Sequence, residues 1–184
     1  VVISPLIALM KDQVESLRAN GIPAVALNST MSEAEQQQAK LLCRQGRIKL
    51  LYISPERVKM EADWFLPNLD ISLIGIDEAH CISQWGHDFR PEYTQLAILK
   101  ERFPQVPIVA LTATADKTTR QDILQQLNLV DPQIFISSFD RPNLSFEVRQ
   151  GLSKREKLSD IVRFIRQHNH QSGIIYCMKR DDTE

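Results

Sequence analysis

The chain has 184 residues, 43% of them hydrophobic and 24% charged, with a formal net charge of −1. That length can bury a core, and the near-neutral balance excludes a strongly basic nucleic-acid-coating protein while leaving room for a local basic face. Three widely spaced cysteines, Cys43, Cys81 and Cys177, argue against a zinc ribbon and fit reduced, intracellular thiols, and no apolar run approaches the roughly 18 residues of a membrane span.

Short apolar runs alternate with longer amphipathic stretches, the pattern of βα units around a parallel sheet. Strands are expected at residues 1–4, 24–28, 48–54, 73–77, 108–112 and 134–137, and helices at 6–19, 33–44, 93–103 and 117–127. Several of these strands are apolar on both faces, as suits a sheet covered by helices on each side. In the first helix Leu6, Leu9, Met10, Val14 and Leu17 recur at helical spacing, and Asn20-Gly21 supplies the stop. After Ser137 the character changes. A polar connector from Ser138 to Asn143 leads to a strand at 144–149, a helix from about 155 to 167 and a strand at 173–177. Residues 1–140 therefore read as the bulk of one α/β domain and 141–184 as the beginning of a second. A strand at residue 1 and a polar run at the end read as a chain cut at both ends.

The segment Leu73-Ile74-Gly75-Ile76-Asp77-Glu78-Ala79-His80 ends an apolar strand in two adjacent carboxylates, at the sheet edge where open α/β folds bind ligands. An Asp in that place can hold Mg²⁺ through water, and a neighbouring Glu can orient or deprotonate an attacking water. A bare Asp-Glu pair would more simply cap a helix; the longer apolar-D-E-A-H string favours the chemical reading. Ala110 to Asp116 again places small hydroxyl residues at a strand's end, where Thr112 and Thr114 can bond across to the carboxylates. A capped turn is compatible with that role.

Between these lies Ser83-Gln84-Trp85-Gly86-His87-Asp88-Phe89-Arg90-Pro91-Glu92-Tyr93. Trp85, Phe89 and Tyr93 recur every four residues, as a core stripe would, with Tyr93 the best core candidate. Gly86 and Pro91 interrupt that helix, however, and aromatics beside an Arg suit stacking on unpaired bases. Two further loops, Ser4-Pro5-Leu6 leading to Lys11 and Ser54-Pro55-Glu56-Arg57, each put a hydroxyl, a Pro and a helix N-terminus at one end of the sheet. Such loops suit nucleic-acid phosphates, although ordinary capping explains either one taken separately. His168 and His170 have no partner at metal-ligand spacing. Cys81 reads as a small buried apolar residue rather than a nucleophile. No Gly is followed by Lys, so the sequence contains no G-x-x-x-x-G-K-[ST] phosphate loop. The chain alone is therefore expected to hydrolyse nucleotide negligibly.

In this order, these segments resemble the RecQ family of DNA helicases within helicase superfamily two. The D-E-A-H string occurs in several helicase families; its extension from Cys81 to Pro91 and the run Ser138-Phe139-Asp140-Arg141-Pro142-Asn143 are what single out RecQ. The resemblance implies a RecA-like parallel sheet with helices on both faces, followed by the start of a second RecA-like domain. It also implies a 3′-to-5′ motor that uses ATP and Mg²⁺ to act on single-stranded and duplex DNA, inside the cell. By carry-over, Asp77, Glu78 and His80 form the catalytic set, with Asp77 serving Mg²⁺ and Glu78 the base. Thr112, Thr114 and Gln84 couple hydrolysis to movement. Ser4, Pro5, Lys11, Ser54, Arg57, Trp85, His87, Phe89 and Arg90 contact nucleic acid. Two alternatives stand beside this reading: a non-catalytic nucleic-acid-binding or interaction module of helicase shape, and an RNA helicase, which nothing in the residues themselves distinguishes from a DNA helicase.

Overall fold

The computed structural model describes residues 1–85, 88–137 and 142–179, which divide into two compact units, 1–134 and 135–184. In the first unit five parallel strands, β1 (Val2–Ile3), β2 (Ala24–Leu27), β3 (Leu50–Ile53), β4 (Ile74–Ile76) and β5 (Ile108–Ala110), lie in the order β2-β3-β1-β4-β5. The chain leaves β1 toward β2 and β3 on one side, whereas β4 is followed by β5 on the other. The sheet thus has its topological switch point between β1 and β4, the place where open parallel sheets form a ligand crevice at the strands' carboxyl ends.

The helices begin where their sequences supply caps. In α2 (Glu33–Arg44) the Ser32 hydroxyl accepts from the Glu35 N–H while the Glu35 carboxylate reaches back to the Ser32 N–H, a reciprocal capping box. Asp116 accepts from Thr119 N–H at 2.7 Å to start α5 (Lys117–Gln126). Pro55 opens α3 (Pro55–Trp64), where a missing N–H costs nothing. After α1 (Ile7–Ala19), Gly21 takes φ +76°, the left-handed conformation that ends the helix.

Two clusters form the core. Met10 and Val14 of α1 pack on Ala24 and Tyr52. The larger cluster joins Ile3, Leu27, Ile53, Ile74 and Ile76 to side chains of α2, α3 and α5, together with Cys81, Ile82, Tyr93 and Leu99. These side chains are fully or nearly fully covered. At roughly 1.5–3 kcal/mol each, their burial is what holds the short strands in place.

Three features differ from the sequence expectations. The helix foreseen at 93–103 is a 3-10 segment, Pro91–Leu96, followed by a short α4 (Ala97–Arg102). The every-fourth-residue spacing of Trp85, Phe89 and Tyr93 therefore makes no common stripe: Trp85 is 83% exposed and Tyr93 fully buried. The foreseen strands at 134–137, 144–149 and 173–177 are not strands among the described residues. Their apolar side chains, Phe135, Phe146 and Tyr176 among them, are exposed. Apolar sequence supplies one face of a strand, but a ladder also requires a neighbouring backbone to bond. Among the described residues of the second unit the regular element is α6 (Lys154–Gln167), again started by a capping box between Ser153 and Glu156. Arg149 pairs with Glu147 and Asp160 beside it.

Candidate nucleotide and nucleic-acid site

Asp77 follows the last residue of β4. Its N–H donates to the Ile3 carbonyl at 2.9 Å, which keeps it in register beside β1 at the switch point. One carboxylate oxygen accepts from the Ser4 hydroxyl at 3.2 Å and the other from the Glu78 N–H at 3.0 Å. Tyr93, buried beneath, donates its hydroxyl to the Asp77 carbonyl at 2.8 Å. Main chain and side chain are thus both held. The partners of the carboxylate are a hydroxyl and an amide rather than a cationic side chain, so its charge is not neutralised by them. A hard, anionic oxygen at the mouth of the crevice is the donor that Mg²⁺ prefers, and Mg²⁺ commonly keeps most of its waters and touches few protein groups. The residues present fit the ion on that chemistry.

Glu78 then turns the chain sharply. Its backbone is left-handed, at φ 48° and ψ 44°, a region costly for a side chain of this length. The strain is held by flanking bonds: Ala79 N–H to the Leu111 carbonyl at 2.8 Å, and Cys81 N–H to Glu78's own carbonyl at 2.9 Å, within the 3-10 turn Ala79–Ile82. Strained residues gather where a fold must aim a functional group. Nothing in the residue pattern signals this one, because Glu is not a residue that advertises a positive φ.

His80 lies at the centre of the next contacts. Its Nδ1 is 2.9 Å from Thr112 Oγ1 and 3.2 Å from Glu78 Oε2, and its Nε2 is 3.8 Å from Asp88. Thr112 donates its one hydrogen to the Thr114 carbonyl and accepts from the Thr114 N–H, both at 3.2 Å. That assigns the Nδ1 hydrogen to His80, which donates toward Thr112 and Glu78. The carboxylate turn and the threonine loop are therefore directly joined.

The aromatic segment leaves from the same turn. Trp85 and Gln84 are exposed, while Phe89 and Arg90 are half-buried. Arg90 donates its backbone N–H to the Cys81 carbonyl at 2.9 Å and reaches the Pro5 carbonyl with its guanidinium at 3.4 Å. It thereby touches the loop after β1. Burial pushes the Cys81 thiol above its ordinary pKa, with nearby Arg90 opposing less strongly, which suits a covered apolar role. His87, expected to contact nucleic acid, lies outside the described residues, as do Ser138 to Arg141.

The expected nucleic-acid contacts fall into two groups. Lys11 is exposed and 3.9 Å from Glu15, and Pro5 is half-buried. Ser4 and Ser54 are buried: Ser4 faces Asp77 rather than solvent, because the loop turns its hydroxyl inward beneath the strand ends. Arg57 is largely covered and donates to Glu61 at 2.7 Å, and Glu61 also pairs with Lys40 at 2.7 Å. Ser54 Oγ and Arg57 Nε have no hydrogen-bond partner among the described residues. Glu61, 1% exposed, was not singled out from the sequence. Its position four residues after Arg57 was the available signal.

The DEAD/DEAH box helicase family model matches residues 1–123, the stretch that contains the carboxylate turn, both hydroxyl loops and the threonine loop. The chain belongs to the DEAD/DEAH box helicase family. Among its curated relatives, "ATP-dependent DNA helicase RecQ" of Pasteurella multocida is 53% identical over 186 residues, covering all of this chain and 29% of the relative. The protein of the same name from Haemophilus influenzae is 51% identical over 185 residues, again covering all of this chain and 29% of the relative. "RecQ-like DNA helicase BLM" of Xenopus laevis is 44% identical over 193 residues, covering all of this chain and 14% of the relative. The chain thus spans less than a third of the length of these relatives. The resemblance to RecQ helicases seen in the 77–91 string is borne out along the whole chain. No helix among the described residues is long and apolar enough to cross a membrane.

Proposed function

We propose that these residues are the hydrolytic and DNA-sensing part of an ATP-dependent 3′-to-5′ DNA helicase of RecQ type, which moves on single-stranded DNA, opens duplex and works within the cell. The observation that carries this reading is the His80–Thr112 hydrogen bond, which joins the carboxylate turn to the threonine loop in a chain of the helicase family. The relatives' names supply ATP and DNA. Residue roles follow from placement. Asp77 holds Mg²⁺ through water, and the bound ion offsets the negative charge of the phosphates. Glu78, one-third exposed at the crevice, takes the proton from the attacking water. His80 fixes the Glu78 carboxylate from one side and reports its position to Thr112 and Thr114. Trp85 stacks on unpaired bases, Phe89 and Gln84 flank it, and Arg90 ties that segment to the loop at Pro5. Lys11 meets phosphates from the exposed face of α1, whereas the buried Ser54 Oγ and Arg57 Nε meet them only if the second loop moves. The residues present supply no glycine-lysine phosphate cradle, so nucleotide binding depends on groups beyond them.

The test uses the whole protein that contains this chain. ATP hydrolysis is measured with single-stranded DNA, with RNA of matching sequence and without nucleic acid. Stimulation by DNA well above that by RNA, lost on Trp85→Ala, is the expected result. Equal stimulation by RNA sinks the DNA assignment, and absence of any nucleic-acid-stimulated hydrolysis favours a non-catalytic binding module.

A further inference from the structure

We infer that Asp122 is the positioning residue that holds the root of the aromatic segment against the hydrolytic turn, so that its removal uncouples DNA engagement from hydrolysis. The inference rests on the functional reading above. Ser83 is buried and donates its hydroxyl to Asp122 Oδ2 at 2.6 Å, in the short range of a bond to an ionised acceptor. The same Ser83 oxygen accepts the Trp85 N–H at 3.3 Å, and the Ser83 N–H donates to the His80 carbonyl at 3.1 Å. One residue therefore touches the catalytic turn on one side and the exposed Trp85 on the other, and Asp122 fixes it.

Asp122 sits on α5, which buried Ile123 and, just past the helix end, buried Leu127 anchor in the core. The helix starts at the Asp116 cap, two residues after Thr114. Glu78, His80, Thr112, Thr114, α5, Asp122 and Ser83 thus form a closed ring of bonded or consecutive groups. A change in Trp85's setting has two routes to Glu78: back along the turn through Ser83, and through α5 to the threonine loop. Both pass Ser83, and the Ser83–Asp122 bond carries the second and fixes Ser83 in place for the first. A buried serine merely in need of an acceptor would explain the bond by itself; the two explanations part in kinetics.

The whole protein is assayed for ATP hydrolysis with and without single-stranded DNA, as Asp122→Ala, Asp122→Asn, Ser83→Ala and the double variant Ser83→Ala/Asp122→Ala. Asp122→Ala is expected to leave the DNA-independent rate within about twofold and to cut the DNA-stimulated kcat about tenfold, an ordinary size for coupling between sites. Asp122→Asn, which keeps an acceptor oxygen, restores most of the stimulation. The double variant loses less than the two single losses combined, since each removes the Ser83–Asp122 bond and Ser83→Ala removes besides it only the longer bond from the Trp85 N–H. Parallel loss of the stimulated and DNA-independent rates overturns the inference, as does failure of Asp122→Asn to rescue, or additive losses in the double variant. An unsubstituted protein without DNA stimulation overturns the helicase reading, and this inference with it.

Discussion

Tyr93 donates its hydroxyl to the main-chain carbonyl of Asp77 at 2.8 Å from a fully buried position. It is a core aromatic whose polar end sets the height of the Asp77 main chain. Tyr93→Phe keeps the ring and leaves that carbonyl without its partner. The expected cost is about 1–3 kcal/mol of stability, read by denaturant unfolding. A cost within error of zero would show that the bond does not hold the turn.

The same burial sets an alkaline limit. Desolvation raises the Tyr93 hydroxyl far above its ordinary pKa and lifts the Cys43 thiol to about 11. Both groups are neutral in either state at low pH. Above the ordinary values of 9.0 for Cys43 and 10.0 for Tyr93, the unfolded chain releases protons that the folded chain keeps. The unfolded state is then favoured, and stability falls. Unfolding free energy is expected to be flat with respect to these two groups below pH 9 and to decline from there upward. Cys43→Ala should delay the onset of that decline; an unchanged profile would contradict the assignment.

Glu78 bears a left-handed backbone that glycine adopts without penalty. Glu78→Gly is therefore expected to be no less stable than the parent, with a gain of up to about 1 kcal/mol, while hydrolysis is lost. Thermal unfolding checks the first half. A clear loss of stability would mean that the Glu78 side chain, through His80, contributes more than its backbone costs.

The His80–Thr112 bond is open to a double-mutant cycle. His80→Ala and Thr112→Val each break it, so their effects on DNA-stimulated kcat should be less than additive, with a coupling of about 0.5–3 kcal/mol. Full additivity would mean that the two loops do not communicate through this bond.

Much of this was legible in the sequence. The five strands of the first unit, the cap at Asp116, and the ends of β1 and β4 as a chemical site all follow from apolar runs, capping patterns and acidic residues at a strand's end. What escaped was set by tertiary structure. Whether Ser4 and Arg57 face solvent depends on how their loops turn over the sheet, and periodicity carries no information on that. The left-handed Glu78 is imposed by bonds to Leu111, distant in sequence. The three strands foreseen from residue 134 onward show the converse: their apolar pattern is present, and a bonding neighbour is not found among the described residues.

The central claim is that Glu78 is the base of a DNA-stimulated ATPase, and single-turnover hydrolysis by Glu78→Gln in the whole protein tests it most directly. With ATP and single-stranded DNA bound at saturation, the variant is expected to keep nucleotide affinity and the parent's stability, and to hydrolyse about a hundredfold or more slowly. Hydrolysis at close to the parent's rate, with the nucleotide bound, would contradict the account.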